Sequence, residues 1–318
     1  MLITIGSFDG FHKGHAELLD ICRKNSHGDD WGVVTFYPHP SEYLHTLKHS
    51  LFTLKERELV RKYLGIPNMF VLAFNEYLKN LSPENFWKLL REKFHVDGLV
   101  MGSDFHFGCN RSGSAEYLGK LAGLDGINKV FIADLYEKNI YSSSNARKKI
   151  ASGDITGTNE ILGYNWFMIS DVIHGSERGR TMNFPTANLN LTGSKIIPAY
   201  GVYATALLIN REWHCGALSI GNNPTFHDIN ETRAEVHILD FNGDLYGDEL
   251  LVVFLARVRD IKTFADKSEL MRQIANDIET CRTIYDAALT GKFLRDLREI
   301  YSSGGNLLMP EILHFETT

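Results

Sequence analysis

Residues 6–15 read Gly6-Ser-Phe-Asp-Gly-Phe-His-Lys-Gly-His15, directly after the apolar run Leu2-Ile-Thr-Ile5 and directly before a helical pattern starting at Ala16. A glycine-rich turn between a strand and a helix turns backbone N–H groups and the positive end of a helix toward an anion. His12 and His15 each add a donor toward phosphate oxygens, so the segment can stabilise charge on a nucleotide phosphate under attack. Two other readings stay open. The histidines are ordinary polar loop residues, or His12, His15 and His39 hold a metal, although no carboxylate or cysteine stands at supporting spacing.

Outward from this turn, the first half alternates short apolar runs with amphipathic stretches. Strands are predicted at Leu2–Ile5, Gly32–Phe36, Met69–Ala73, Gly98–Met101 and Lys129–Ala133. Helices are predicted at Ala16–Lys24, Lys55–Leu64 and Pro83–Phe94, the last with Ser82 as N-cap and Pro83 in the first helical position. Such alternation specifies an α/β, doubly wound, Rossmann-like parallel sheet. The small, polar stretch from Ala151 to Thr158 predicts a linker, giving domains 1–155 and 156–318. From Trp166 to Arg259 the chain reads as successive strands, among them Gly201–Ile209, His214–Ile220, Ala234–Leu239 and Leu250–Phe254, which suggests a small antiparallel β-barrel. A C-terminal helix follows over Lys267–Leu289, where Leu270, Ile274, Ile278, Cys281 and Tyr285 form an apolar stripe. The stretch 291–318 reads as an extra helix and an extended arm.

The composition narrows the function. With 318 residues, 44% hydrophobic and 23% charged, the chain is long for one domain. Lys+Arg at 33 against Asp+Glu at 39 gives a net charge of -6, which offers no general field for a nucleic-acid backbone. Nucleotide substrates would have to be held by a few local donors and a divalent cation, which points to small polyphosphates with magnesium. Cys22, Cys109, Cys215 and Cys281 show no CxxC pair or metal-finger spacing and read as reduced thiols. No signal sequence and no membrane-length apolar run is visible, so a cytoplasmic protein without a membrane partner is expected.

The opening motif resembles the HxGH signature of the nucleotidylyltransferase superfamily, and its fuller form is similar to the FMN adenylyltransferase branch. Thr35-Phe-Tyr-Pro-His-Pro40, Leu81-Ser-Pro-Glu-Asn-Phe86, Gly102-Ser-Asp-Phe-His-Phe-Gly108 with Arg111 and Gly113, and Ser142-Ser-Ser-Asn-Ala-Arg147 follow in the order of that branch. The resemblance implies that Gly6, Phe8, Asp9, Gly14, Ser143 and Ser144 bind ATP and that His12, His15 and Arg147 act on its phosphates. It implies that Asp104, Phe105 and Phe107 line the flavin cleft; the alternative for the two aromatics is a place in the core. Ser144, Ala146 and His106 stand where the family often has Thr, a larger aliphatic and Arg.

A second set, Gly179 to Leu189, Tyr200-Gly-Val-Tyr-Ala204, Ile220 to Phe226 and Glu235 to Gly247, resembles riboflavin kinase. No G-x-x-x-x-G-K-[ST] occurs anywhere, so phosphoryl transfer here would not use a P-loop. The resemblance implies Thr186 and Asn188 as oxygen ligands for Mg2+ and ATP, and Glu235 as the base for the riboflavin 5′-hydroxyl. Taken alone, Pro185 to Asn188 also reads as a turn and Glu235 as a solvated strand residue. Asn183 stands where the family usually has glycine. Together the motifs resemble the bifunctional prokaryotic riboflavin kinase and FMN adenylyltransferase family, the FAD synthetases, with riboflavin, FMN, FAD and ATP as the implied small-molecule partners. Another nucleotidylyltransferase with an accessory barrel and a flavin-binding protein without chemistry are the competing readings.

Overall fold

The computed structural model describes residues 1–47, 49–134, 137, 139–174, 186–191, 193–222, 232–303 and 309–315. They divide into two compact units, Met1–Ser143 with Asn306–Thr318, and Ser144–Gly305.

The first unit carries β1 (Leu2–Ile5), α1 (Ala16–Asn25), β2 (Trp31–Tyr37), α2 (Pro40–Tyr43), α3 (Leu54–Tyr63), β3 (Asn68–Ala73), α4 (Glu76–Asn80), α5 (Pro83–Phe94), β4 (Gly98–Gly102), β5 (His106–Phe107), β6 (Gly113–Ser114), α6 (Ala115–Leu124) and β7 (Lys129–Ala133). Its helices begin where side chains satisfy the first orphan N–H groups. Thr53 and Glu56 form a capping box on α3, and Ser82 Oγ accepts from Asn85 N ahead of Pro83 on α5. The sheet order is β14-β3-β2-β1-β4-β7, where β14 is Ile312–Leu313 of the C-terminal arm, and its pairs are parallel. All four residues of β1 are buried, as a strand covered on both faces requires. The core runs from Ile3, Ile5, Val34 and Leu99 to Phe86, Trp87, Leu90 and Phe107. The order in which strands are added across the sheet reverses at β1, with β2 and β3 on one side and β4 and β7 on the other. Open α/β sheets bind ligands beyond the carboxyl end of the strand at such a switch point, and here that end is the turn at Gly6.

The second unit begins at Ser144, one residue into α7 (Ser143–Ala151), and continues with α8 (Ile155–Leu162), β8 (Phe167–Ile173), β9 (Thr186–Leu189), β10 (Gly201–Ile209), β11 (Glu212–Gly221), β12 (Arg233–Ile238), β13 (Glu249–Arg259), α9 (Lys267–Leu289) and α10 (Lys292–Ser303). The six strands close a barrel in the order β10-β11-β12-β9-β8-β13 with antiparallel pairs. The stripe on α9 packs on it: Cys281 is buried, and Tyr285 donates to the Trp213 carbonyl at 2.6 Å.

Two expectations differ from this picture. The stretch 151–158 is not an open linker, because Asp154 caps α8 by accepting from Gly157 N at 2.8 Å, and Gly153 turns the chain between α7 and α8 at φ 79. The arm does not stay with residues 156–303. Ile312 and Leu313 pair with Val71 and Leu72, supplying hydrogen-bond partners to the otherwise open edge of β3.

Candidate active sites

The turn after β1 is held by its own aromatic rings. Phe8 and Phe11 adopt left-handed φ values of 42 and 41, beside Gly10 at 100. Each such phenylalanine costs about 1–2 kcal/mol. Both rings are buried and stack at 5.3 Å, and burying a ring of this size returns about 1.5–3 kcal/mol. Gly14 is required by space: a Cβ there would lie 2.5 Å from the Tyr141 carbonyl oxygen and 2.9 Å from His12 Nδ1.

That tight approach stacks the rings of His12 and His15 at 3.9 Å, with Phe8 tilted over His15 at 4.9 Å. Burial, and then the proximity of His12, hold the His15 pKa well below the ordinary 6.5. His15 is therefore a neutral imidazole near pH 7, able to donate one N–H without carrying a full charge. Asp9, expected among the ATP-binding residues, is 2% exposed and accepts from Leu51 N at 3.0 Å and Phe52 N at 3.4 Å. Its carboxylate anchors the turn to the residues ahead of α3. His39 accepts from Ser41 N at 3.1 Å as the cap of α2, and no group of three or more potential metal ligands occurs among the described residues.

Ser143 Oγ donates to the Asp9 carbonyl at 2.6 Å, which brings the first residue of α7 to the turn. Ser144 and Arg147 lie further along that helix and count with the second unit, where Arg147 Nη2 donates to Ser144 Oγ at 3.4 Å. The flavin candidates lie after β4. Asp104 is exposed, Phe105 half-buried and Phe107 buried, with the two rings stacked at 5.6 Å and Phe107 5.3 Å from Phe86. Phe107 is thus part of the core and Phe105 lies against it. Gly113 makes room for the Phe107 ring, which a Cβ would approach to 2.6 Å.

In the barrel, register does the positioning. Glu235 on β12 is paired with Asn188 on β9, and His237 with Thr186. Side chains alternate along a strand, so these four residues share one face while Ala234, Val236, Ile238 and Leu189 fill the interior. Glu235, Thr186 and Asn188 are half-buried, and no described side chain hydrogen-bonds or ion-pairs with the Glu235 carboxylate. Three oxygen-bearing groups of this kind suit a hard cation whose remaining ligands come from substrate phosphates. Next to this face, the Tyr200 hydroxyl bonds Asn222 Oδ1 at 2.7 Å and Thr232 Oγ1 at 2.9 Å. Residues 179–185 and 223–226 of the quoted motifs, Asn183 among them, lie outside the described residues.

Residues 1–146 match the family model for FAD synthetase, and residues 162–285 match that for riboflavin kinase. The bifunctional riboflavin kinase/FMN adenylyltransferase of Listeria monocytogenes is 33% identical over 291 residues, covering 89% of this chain and 92% of that protein. This chain belongs to that family. The Bacillus subtilis and Escherichia coli members are each 34% identical, covering 87% and 89% of this chain and 90% and 92% of their own. A solved structure from Streptococcus pneumoniae, named a macrolide-efflux protein, superimposes with a TM-score of 0.79 at 32% identity, over 88% of this chain and 93% of that one. Among the described residues of this family member, no helix is long and apolar enough to cross a membrane.

Sequence reasoning missed Arg57. It is 4% exposed on α3 and donates to the Ser7 carbonyl at 3.3 Å, Thr35 Oγ1 at 3.2 Å and the Phe36 carbonyl at 3.2 Å. In sequence it is one of several charges on an amphipathic helix, with nothing to mark it as turned inward.

Proposed function

We propose that this chain makes FAD in two ATP-dependent steps, one in each unit. What carries the reading is that two different phosphate-handling features, the turn from Gly6 to His15 and the paired strands β9 and β12, lie in separate compact units, each within its own family match.

In the barrel, the riboflavin 5′-hydroxyl oxygen attacks the γ-phosphorus of ATP, the bond to the bridging oxygen breaks and ADP leaves. Glu235 accepts the hydroxyl proton, a role that asks only for a carboxylate within hydrogen-bond reach. Thr186 and Asn188 would hold magnesium, which offsets charge on the phosphates when bound. In the first unit, an FMN phosphate oxygen attacks the α-phosphorus of ATP and pyrophosphate departs. His12, the neutral His15 and the backbone of the turn from Gly6 to Gly14 donate to phosphate oxygens as charge develops there. Ser143, Ser144 and the Arg147 fork hold the triphosphate, and Asp104 and Phe105 face the flavin, with Phe107 supporting Phe105 from beneath. Burial pushes the thiols of Cys22, Cys215 and Cys281 up to about 12, so none serves as a nucleophile. The four free cysteines fit an enzyme of the reducing cytoplasm.

The test is chromatography after incubation of purified protein with riboflavin, ATP and magnesium. FMN should appear first and FAD after it, with ADP and pyrophosphate as co-products. Riboflavin recovered unchanged, or FMN that never proceeds to FAD, would overturn the corresponding half of the reading.

A further inference from the structure

Three features of the turn after β1 lead to one buried side chain. The Ser7 carbonyl oxygen accepts twice, from Thr35 Oγ1 at 2.8 Å and from Arg57 Nη1 at 3.3 Å. The next residue is Phe8, whose left-handed φ of 42 fixes a buried ring against His15 at 4.9 Å. One residue further, the Asp9 carboxylate is bound by Leu51 N and Phe52 N, in the segment that leads into the capping box of α3. The helix carrying Arg57 and the residues leading into it thus grip the turn at two points, one on each side of its strained residue.

We propose that Arg57 is a positioning residue for adenylyl transfer, acting through the Ser7 carbonyl and Phe8 to set the orientation of the His15 imidazole. This rests on the reading of the first unit as the FMN adenylyltransferase. Burial alone does not explain an arginine here, since a guanidinium is costly to desolvate and an apolar residue would fill the space more cheaply. Burial draws the Arg57 pKa down, opposed first by the Asp9 charge. What the guanidinium supplies is a rigid planar fork, which reaches Ser7, Thr35 and Phe36 at once as no lysine ammonium can. Thr35 serves the same carbonyl from β2, which gives its place in the Thr35–Pro40 block a physical reason.

The experiment compares the wild-type chain with Arg57→Met, Arg57→Lys and Thr35→Val, measuring kcat and KM for FAD formation from supplied FMN. Riboflavin phosphorylation in the same preparations reports on the barrel, and circular dichroism on folding. Displacing a group by about 1 Å from a site that it does not touch can cost on the order of a hundredfold. Arg57→Met should lower the adenylation kcat by about that factor with KM for ATP little changed, because the substrate-binding groups remain and their alignment is lost. Arg57→Lys should fall between, and Thr35→Val, which removes one neutral donor, should show the same pattern more weakly. If Arg57→Met does not fold, Thr35→Val puts the same question. Wild-type kcat in the folded variants, or a raised KM at unchanged kcat, would overturn the positioning role. A wild-type chain that makes no FAD from FMN would instead remove the underlying functional reading.

Discussion

The turn after β1 and the outer face of the barrel, the two places proposed to handle phosphate, are built in opposite ways. The turn is fixed by close packing. Gly14 has no room for a Cβ, two phenylalanines are held in left-handed conformations, and a buried carboxylate and a buried guanidinium pin the backbone on either side. The barrel face is fixed by register. Strand pairing brings Glu235 opposite Asn188 and His237 opposite Thr186, and leaves the Glu235, Thr186 and Asn188 side chains half-exposed above a packed interior. Developing charge at phosphorus calls for donors already aimed, which packing provides. Taking a proton from a hydroxyl calls for one carboxylate at the right height on a rigid sheet, which register provides.

Glu235→Gln should break the barrel half of this contrast most severely. The amide keeps the size of the side chain and removes its basicity, so riboflavin phosphorylation should fall by about a hundredfold to ten-thousandfold. Adenylation of supplied FMN should stay near wild type, which separate assays of the two half-reactions would establish. Near-normal kinase turnover would return Glu235 to the status of a solvated strand residue.

His15→Ala probes the packed half and should have the next largest effect. Losing one preorganised donor costs about 3–4 kcal/mol in the transition state, so FAD formation should drop by roughly a hundredfold or more while FMN accumulates. Because burial keeps His15 neutral, what is lost is an N–H donor and not a full charge, which places the expected loss toward the lower end of that range. The pattern of FMN and FAD over time in one reaction mixture reads the result. Abolished phosphorylation with intact adenylation would reverse the assignment of chemistry to the two units.

The elements best legible in the sequence were those whose ends carry a local mechanism. The helix Pro83–Phe94 and the helix Lys267–Leu289 match their expected bounds, the first started by Ser82 and Pro83, the second capped by Asp266. The strand Gly201–Ile209 does too, since a strand buried on both faces reads as one apolar run. The stretch 151–158 was misleading because a small, polar composition describes a linker and a capped helix start equally well. In the site, Gly14, His12 and His15 were readable as a motif, but the reason for the glycine was not. It depends on the carbonyl of Tyr141, which comes close only once the sheet has formed. Arg57 was unreadable for the same reason, and so was the bonding of the Asp9 carboxylate to the backbone N–H groups of Leu51 and Phe52, far along the chain. Spacing reports which residues share an element, whereas burial of a charge is decided by contacts far apart in the chain.

The smallest expected effect sharpens the contrast from outside both sites. The arm lies beyond the matched residues 162–285, yet Ile312 and Leu313 extend the sheet at β3, Asn75 Nδ2 donates to the Phe315 carbonyl at 3.4 Å, and Leu313 and Phe315 lie against the core of the first unit. Half-burial of two such side chains stabilises by about 1–2 kcal/mol. Deleting residues 309–318 should therefore lower the urea midpoint of the first unit by a corresponding amount and leave that of the barrel unchanged, since the described contacts of the arm are with the first unit. Both activities should persist below those midpoints, because neither site uses a residue of the arm. The deletion also uncovers the unpaired N–H and C=O groups of β3, a template for strand addition by another chain. Concentration-dependent association of the shortened protein in sedimentation experiments, absent from the full chain, is the expected sign that the arm caps this edge. An unchanged midpoint without association would mean that β3 is protected in some other way and that the two-residue pairing contributes nothing measurable.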